Sequence, residues 1–224
     1  MSDLPTIAVV GGTGNLGYGI ALRLAKAGYP VIIGSREADK AQGAADEMTA
    51  KLGAGAKVRG LANGEAAAQA DIIFMAVPFA SHDATLGQIA PHVRGKIVVD
   101  TTVPLVPPKV ARVHLVAEGS AANRAQKTLG PEVRVVSALQ NVAAAHLREL
   151  DHAIDCDVLV TGDDKAARQA VIDLIAAMGL KAWHAGPLDN AVVAESLTSI
   201  LIFINKNHGI DGAGIRISGE PSAS

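Results

Sequence analysis

The sequence has little cysteine, few aromatic residues and no large excess of either charge. Its single cysteine, Cys156, excludes an internal disulfide, and no basic-then-apolar leader opens the chain, so a cytoplasmic protein is expected. Aromatic residues make up 3% of the 224 positions, which argues against a base-stacking surface for single-stranded nucleic acid. The formal net charge of −2 provides no basic patch either, so no nucleic-acid partner is expected.

The chain also lacks the residue patterns of several catalytic and metal sites. Its seven histidines show no metal-ligand spacing and one cysteine cannot form a zinc site, so no metal is expected. There is no G-x-S-x-G nucleophile elbow, and the glycine-rich segment near the start lacks the Lys-Ser/Thr pair of a P-loop. Hydrolase and NTPase functions are therefore not expected. The apolar run 192–204 contains Glu195 and is too short to span a bilayer, so it predicts a core helix and no membrane anchor.

A glycine-rich loop between a short apolar strand and a helix is the most informative segment. The strand predicted over Ile7–Val10 runs directly into Gly12, Gly14 and Gly17, which stand in G-x-G-x-x-G spacing. This spacing allows a tight turn, close approach of a pyrophosphate to the backbone and close packing of the next helix. That helix offers free amide groups and the positive end of its dipole to an anion. The segment therefore predicts a dinucleotide-binding site, and the helix face behind it is apolar at Leu16, Ile20 and Leu24.

The end of the second predicted strand indicates which dinucleotide is bound. An NAD-selective site usually places Asp or Glu there to bind the ribose 2′-hydroxyl. This chain has Ser35 and Arg36 instead, with Lys40 one helical turn further on. A hydroxyl, a guanidinium and an ammonium suit a 2′-phosphate, so the expected cofactor is NADP(H). The alternative is a solvated helix start in which the cations pair with Glu37 or Asp39.

Strands and helices alternate along most of the chain. Apolar runs predict strands near residues 29–34, 57–61, 71–78, 96–100 and 133–137. This alternation is typical of an α/β fold with a Rossmann-type doubly wound parallel sheet, here an NADP-binding domain over residues 1–141. Later strands at 157–162 and 180–185, with their helices, predict a smaller C-terminal α/β lobe over residues 142–224 that closes the acceptor cleft. Because ligands gather at the carboxyl ends of such strands, Ala76, Val77 and Pro78 are expected beside the ribose and nicotinamide.

The last long helix, predicted over residues 189–207, carries a polar stripe in an otherwise apolar sequence. Such a stripe is solvated, paired within the protein or turned towards a ligand. The apolar remainder of the helix favours a homodimer or a higher homo-oligomer. The stripe consists of Glu195, Thr198, Ser199, Asn205 and Lys206.

Seven short segments are spread along the chain: GGTGNLG (11–17), GSR (34–36) followed by Lys40, AVP (76–78), SALQNV (137–142), GPL (186–188), ESLT (195–198) and GIR (214–216). Together they resemble the NADPH-dependent reductases of coenzyme F420, which in archaea are called reduced-F420:NADP oxidoreductases. The likeness covers nearly the whole chain. Its late segments are more specific than the glycine loop, which many reductases share.

The resemblance implies reversible hydride transfer between NADP(H) and the deazaflavin coenzyme F420, held face to face in the cleft between the lobes. It implies contacts to the 2′-phosphate from Thr13, Ser35, Arg36 and Lys40, with Asn15 and Leu16 at the pyrophosphate. Ser196 and Thr198 match hydroxyl positions near the deazaflavin, and Gln140 would border it. With the glycine loop and the strand ends, the candidate cofactor-binding residues are Gly12, Thr13, Gly14, Asn15, Leu16, Gly17, Ser35, Arg36, Lys40, Ala76, Val77, Pro78 and Ala138.

Gln140 is the main departure from the family pattern, because archaeal members carry histidine there. An amide donates and accepts hydrogen bonds but cannot relay a proton at neutral pH as imidazole does. Hydride transfer requires no catalytic base, so no residue is assigned as catalytic, and Gln140, Ser196 and Thr198 are the acceptor-side candidates. Two alternatives remain open. One is NADPH-dependent reduction of a different acceptor, such as a flavin, ferric iron, an imine or a small carbonyl, and the other is a non-catalytic NADP-sensing module.

Overall fold

A sheet of eight strands forms the centre of the protein in the computed structural model, which describes residues 4–219. The strands are β1 (Ile7–Val10), β2 (Val31–Ser35), β3 (Val58–Ala62), β4 (Ile72–Met75), β5 (Ile97–Asp100), β6 (Arg134–Ser137), β7 (Asp157–Gly162) and β8 (Lys181–His184). They lie in the order β3-β2-β1-β4-β5-β6-β7-β8. Strands β1 to β6 are parallel, as the sequence predicts, and we call the edge at which they end the carboxyl edge.

The central strands are covered on both faces. In β1, Ile7 and Val9 point into one apolar cluster, whereas Ala8 and Val10 point into the other. This alternation follows from the two-residue repeat of a strand, and burial on both faces explains why β1, β4 and β5 consist almost entirely of apolar residues. The prediction of a Rossmann-type doubly wound fold is confirmed.

Eight α-helices lie on the two faces of the sheet within residues 4–219. Helices α1, α2, α6 and α7 contribute to one apolar cluster, and α3, α4 and α5 contribute to the other. Short α3 was not predicted, because its six residues are too few to show an apolar repeat. The helices are α1 (Asn15–Lys26), α2 (Ala38–Leu52), α3 (Asn63–Ala68), α4 (His82–Ile89), α5 (Ala121–Leu129), α6 (Ala144–Arg148), α7 (Lys165–Ala177) and α8 (Ala191–His208).

Side-chain caps set where two of these helices begin. The Asp164 carboxylate accepts a hydrogen bond of 2.6 Å from the Ala167 amide at the start of α7. The stretch 117–129, with its small residues in the middle, predicts a helix from residue 117, but α5 begins at Ala121. The reason is that the Ser120 hydroxyl accepts a hydrogen bond of 2.9 Å from the amide of Asn123 and so satisfies one of the first free amide groups.

The sheet reverses direction once, between β6 and β7. Ser137 pairs with Thr161 in an antiparallel register, and β8 then runs parallel to β7. Strand β8 therefore ends at the edge opposite the carboxyl edge, and α8 runs back towards the carboxyl edge over about 27 Å. The described part of residues 142–224 thus adds two strands to the same sheet and makes it a mixed one. The sequence predicts a parallel sheet for residues 1–141, which β1 to β6 form, and a smaller lobe after it. Their treatment as a separate lobe stays a prediction.

Helix α8 is buried on one face and exposed on another. The stretch Leu188–His208, with a mean hydropathy of 1.3, is long and apolar enough to cross a membrane, and a third of it is buried against the rest of the protein. Val193, Ile200 and Phe203 are each about half exposed or more, and their spacing places them on one side of the helix. The prediction of a core helix is therefore right for the buried face only.

Candidate functional site

The glycine loop between β1 and α1 is in close contact with the end of β4. Gly11 has a φ of +75°, and a Cβ atom there would lie 2.5 Å from the carbonyl oxygen of Ala76. A Cβ atom at Gly12 would lie 2.7 Å from the carbonyl oxygen of Val9, and one at Gly17 would lie 2.6 Å from that of Gly11. Only glycine fits at these three positions. The sequence predicts the role of Gly12 and Gly17 but not that of Gly11, whose positive φ makes the turn.

The loop leaves the first turn of α1 open to an anion. Gly14 is the N-cap residue of α1 and has no side chain to cap the helix, and the first hydrogen bond of the helix runs from the Tyr18 amide to the Gly14 carbonyl at 2.8 Å. The amide groups of Asn15, Leu16 and Gly17 precede that bond and have no helical acceptor. Because the positive end of the helix dipole lies at the same place, this turn can hold a phosphate group.

The end of β2 brings a hydroxyl and a guanidinium beside the loop. The Gly12 amide donates to the Gly34 carbonyl at 3.0 Å, which fixes the loop against this strand end. Ser35 is buried, whereas Arg36 is exposed and has no carboxylate within 4 Å among residues 4–219. Lys40 behaves as the alternative interpretation predicts, since its Nζ atom lies 2.7 Å from the carboxylate of Glu37. Both partners are largely exposed, so this ion pair is weak and free to rearrange.

The other predicted cofactor-binding residues lie along the carboxyl edge. Ala76 is buried with its amide bonded to the Val10 carbonyl at 2.9 Å, and Pro78 is exposed beyond it. Ala138 follows β6, two strands away from β4, and its side chain lies in the core. Leu139 has a φ of +73°, a conformation that costs a non-glycine residue about 1–2 kcal/mol. Such strain is found more often at functional sites than elsewhere.

The Gln140 side chain points into the protein. Its Nε2 atom donates to the Asp100 carbonyl at 2.9 Å and to the Ser137 hydroxyl at 2.8 Å, and the residue is 5% exposed. Its Oε1 atom is buried and has no hydrogen-bond partner among residues 4–219. The Thr198 hydroxyl of α8 donates to the Gln140 carbonyl at 2.8 Å. The structure therefore brings Gln140 and Thr198 together, with Ser196 half-buried on the same helix.

A buried ionisable pair lies beneath the same edge and was missed from the sequence. The His82 Nε2 atom is 2.7 Å from the Asp100 carboxylate, and both side chains are fully buried. The second Asp100 oxygen accepts a hydrogen bond of 2.9 Å from the Thr102 amide. Burial lowers the pKa of His82, but the hydrogen bonds and negative charges of Asp100 and Asp83 together raise it above its usual range. Nothing in the local sequence links these residues, because they belong to different elements.

Glu195, from the polar stripe of α8, satisfies the start of α5. Its carboxyl oxygens accept hydrogen bonds of 2.8 and 3.1 Å from the amide groups of Ala121 and Ala122. Burial raises the pKa of Glu195 to about 8, despite these two hydrogen bonds. Ser199 and Asn205 of the stripe also bond to neighbouring backbone, at Arg112 and Ala213. Of the three explanations for the stripe, pairing within the protein accounts for these residues, whereas Lys206 is exposed.

Comparison with known proteins places this geometry in a family. Residues 6–104 match the family model for coenzyme F420-dependent NADP oxidoreductases. The chain is 40% identical over 219 residues to the F420-dependent NADP reductase of Methanocaldococcus jannaschii, covering 95% of this chain and 97% of that protein. The reductase of the same name from Methanothermobacter thermautotrophicus is also 40% identical, over 96% of this chain and 95% of its own length.

A solved structure extends the likeness to three dimensions. The suggested F420-dependent NADP reductase from Arthrobacter sp. FB24 superimposes with a TM-score of 0.80 at 30% sequence identity. The match covers 95% of this chain and 99% of that chain, so it includes β7, β8 and α8 as well as the glycine loop. The chain therefore belongs to the family of F420-dependent NADP reductases.

Proposed function

We propose that this protein transfers a hydride between NADP(H) and the deazaflavin coenzyme F420. The observation that carries the proposal is the 40% identity to F420-dependent NADP reductases over 95% of the chain, which spans the glycine loop and α8 together. The nicotinamide and the deazaflavin supply the hydride donor and acceptor when both are bound. The protein's own part is to orient the two rings and to exclude water.

In this proposal the glycine loop and the end of β2 hold the adenosine half of NADP(H). Gly12, Gly14 and Gly17 let the pyrophosphate approach the free amide groups of Asn15 and Leu16. Arg36 and Lys40, with the hydroxyl groups of Thr13 and Ser35, bind the 2′-phosphate. The Arg36 guanidinium is exposed, and no carboxylate of residues 4–219 lies within 4 Å of it. This supports the assignment, because an unpaired cation is available to an incoming phosphate.

The nicotinamide half then follows the carboxyl edge towards β6. Ala76, Val77 and Pro78 flank its ribose and ring, and the backbone at Ala138 lies further along the same edge. Gln140, Ser196 and Thr198 form the acceptor side. The side-chain amide of Gln140 donates to the Asp100 carbonyl and to the Ser137 hydroxyl. In this proposal the residue therefore contributes to the shape of the site and does not transfer a proton.

We also propose that the protein forms a homodimer or a higher homo-oligomer and works in the cytoplasm with small-molecule partners. The exposed apolar side of α8, with Val193, Ile200 and Phe203, supports association of identical chains because such a patch is unfavourable in water. Size-exclusion chromatography with light scattering tests this point.

The function is tested by steady-state oxidation of NADPH with purified protein and F420, with free flavin and ferric chelate as parallel acceptors. Saturable turnover with F420 alone is the expected result. Turnover on flavin or iron but not on F420 would show that the acceptor is assigned wrongly. Tight NADPH binding without turnover on any acceptor would instead indicate an NADP-sensing module.

A further inference from the structure

A guanidinium from outside the glycine loop lies beside the open turn of α1. Arg148 is the last residue of α6, and its Nη1 atom lies 2.9 Å from the side-chain oxygen of Asn15, the first residue of α1. Its guanidinium carbon lies 4.6 Å from the centre of the Tyr18 ring, one turn further along α1. Two contacts to side chains of α1 thus hold this cation at the first turn of the helix, the turn whose amide groups lack a helical acceptor.

The segment that carries Arg148 is fixed firmly to α1. Arg23, two turns along the helix, is buried and donates to five backbone carbonyl oxygens, those of His146, Leu147, Glu149, His152 and Met178. Gly19 lies against this segment, since a Cβ atom there would be 2.6 Å from the Cβ atom of Leu147. The position of Arg148 is therefore part of the fold.

The electrostatics of this position favour an anion. No carboxylate among residues 4–219 lies within 4 Å of the Arg148 guanidinium, which is half-buried. Glu47, the acid near Tyr18, accepts a hydrogen bond of 3.0 Å from the Tyr18 hydroxyl instead. A cation beside the positive end of a helix is unfavourable by itself, and becomes favourable when an anion lies between the two.

We propose that Arg148 is a further binding residue for the pyrophosphate of the dinucleotide and acts together with the amide groups of Asn15 and Leu16. This inference rests on the proposed function, in which the glycine loop holds NADP(H). Arg148 lies outside residues 6–104, the segment that matches the family model. It would act on the part of the cofactor that NADPH and NADH share, whereas Arg36 acts on the 2′-phosphate that only NADPH carries.

The test measures dissociation constants of wild type and Arg148→Ala for three ligands: NADPH, NADH and 2′-AMP. The last of these has the 2′-phosphate but no pyrophosphate. We expect about tenfold weaker binding of both NADPH and NADH, by the same factor, and unchanged binding of 2′-AMP. Arg148→Lys should give an intermediate loss, because it keeps the charge without the planar fork. Arg94→Ala, which removes an exposed arginine paired with Glu132, is the matched control and should bind all three as wild type does.

Several results would overturn the inference. One is unchanged affinity of Arg148→Ala for NADPH and NADH, and another is an equal loss for 2′-AMP, which would indicate a merely structural role. Should Arg148→Ala fail to fold, Arg148→Gln supplies the same comparison, because it removes the charge but can still donate to Asn15. If the wild-type protein bound no NADPH, the proposed function itself would be overturned. The wild-type titration alone reveals that outcome, so it is distinguished from a failure of the inference about Arg148.

Discussion

The Thr198 hydroxyl donates a hydrogen bond of 2.8 Å to the carbonyl oxygen of Gln140 and so joins α8 to the turn that follows β6. The bond crosses 58 positions of sequence. It connects two of the three acceptor-side candidates directly. It also fixes the strained turn at Leu139 from one side, so a change at Thr198 is expected to alter the acceptor side of the site.

Thr198→Val should therefore change acceptor kinetics with little change in NADPH affinity. Valine keeps the shape of threonine but removes the donor to Gln140, at a cost of about 1 kcal/mol. We expect a severalfold rise in KM or fall in kcat for F420, with the dissociation constant of NADPH unchanged. Thr198→Ser is the matched control, because it retains the hydroxyl. Wild-type kinetics in Thr198→Val would show that this hydroxyl has a structural role only.

Arg36→Ala should weaken NADPH binding far more than NADH binding. Loss of one charge-assisted hydrogen-bond partner of the 2′-phosphate is worth about 1.5–3 kcal/mol, or roughly ten- to a hundredfold in affinity. Isothermal titration with both dinucleotides measures the effect. Lys40→Ala should show a smaller loss, because Lys40 must leave Glu37 before it can reach a phosphate. An equal loss for NADPH and NADH in Arg36→Ala would contradict the assignment of Arg36.

Asp100→Ala should destabilise the protein strongly. It leaves His82 without its carboxylate and the Thr102 amide without its acceptor, and removal of one partner of such a buried pair costs about 3–5 kcal/mol. Urea unfolding followed by circular dichroism measures the loss. Asp211→Ala is the control: Asp211 lies 3.6 Å from His146 but is almost fully exposed, so its removal should cost very little. Comparable losses in both variants would show that burial of the Asp100 pair is unimportant.

Glu195→Gln should change how stability depends on pH. The pKa of Glu195 is about 8 in the folded protein, against 4.5 for the unfolded chain, so the folded state holds the proton between these values. The contribution of Glu195 to the stability of the folded protein is thus fully present below pH 4.5, where the group is protonated in both states. Above pH 4.5 ionisation lowers the free energy of the unfolded state only, so the contribution is lost as the pH rises through 8. A glutamine has no such ionisation. The stability advantage of wild type over Glu195→Gln should therefore shrink from pH 5 to pH 8.

Chemical denaturation of both proteins across this pH range gives the comparison. Ionisation of other groups affects wild type and variant alike and cancels in the difference between them. A difference in unfolding free energy that stays constant with pH would contradict a raised pKa for Glu195.

The parts of the fold that the sequence predicts well are those encoded locally. The strand Ile7–Val10, the glycine spacing and the helix behind it lie within twenty residues, and each imposes its own pattern on the chain. Ser35 and Arg36 follow from their place at the end of the second strand. The role of Gly11 could not be predicted in this way, because the G-x-G-x-x-G motif begins at Gly12. The positive φ of Gly11 nevertheless forms the turn.

Contacts between distant elements could not be predicted in the same way. Arg148 and Asn15 are 133 positions apart, and neither residue type indicates the other. His82 and Asp100 belong to α4 and β5, and periodicity does not show that both side chains turn into the same buried space. The reversal at β7 was missed for a similar reason, since an apolar run has the same pattern whichever way it enters a sheet.

That single reversal decides where additions to the chain can be made. Thr6 enters β1 at the edge opposite the carboxyl edge, whereas the Ile217 amide bonds to the Asp157 side chain at the start of β7, on the carboxyl edge itself. Four strand spacings, or about 19 Å, separate β7 from β1 along that edge. An affinity tag or a surface tether joined ahead of β1 would start at the edge opposite the proposed cofactor site. One joined just after Ile217 would start at the carboxyl edge, where the proposed cofactor site lies.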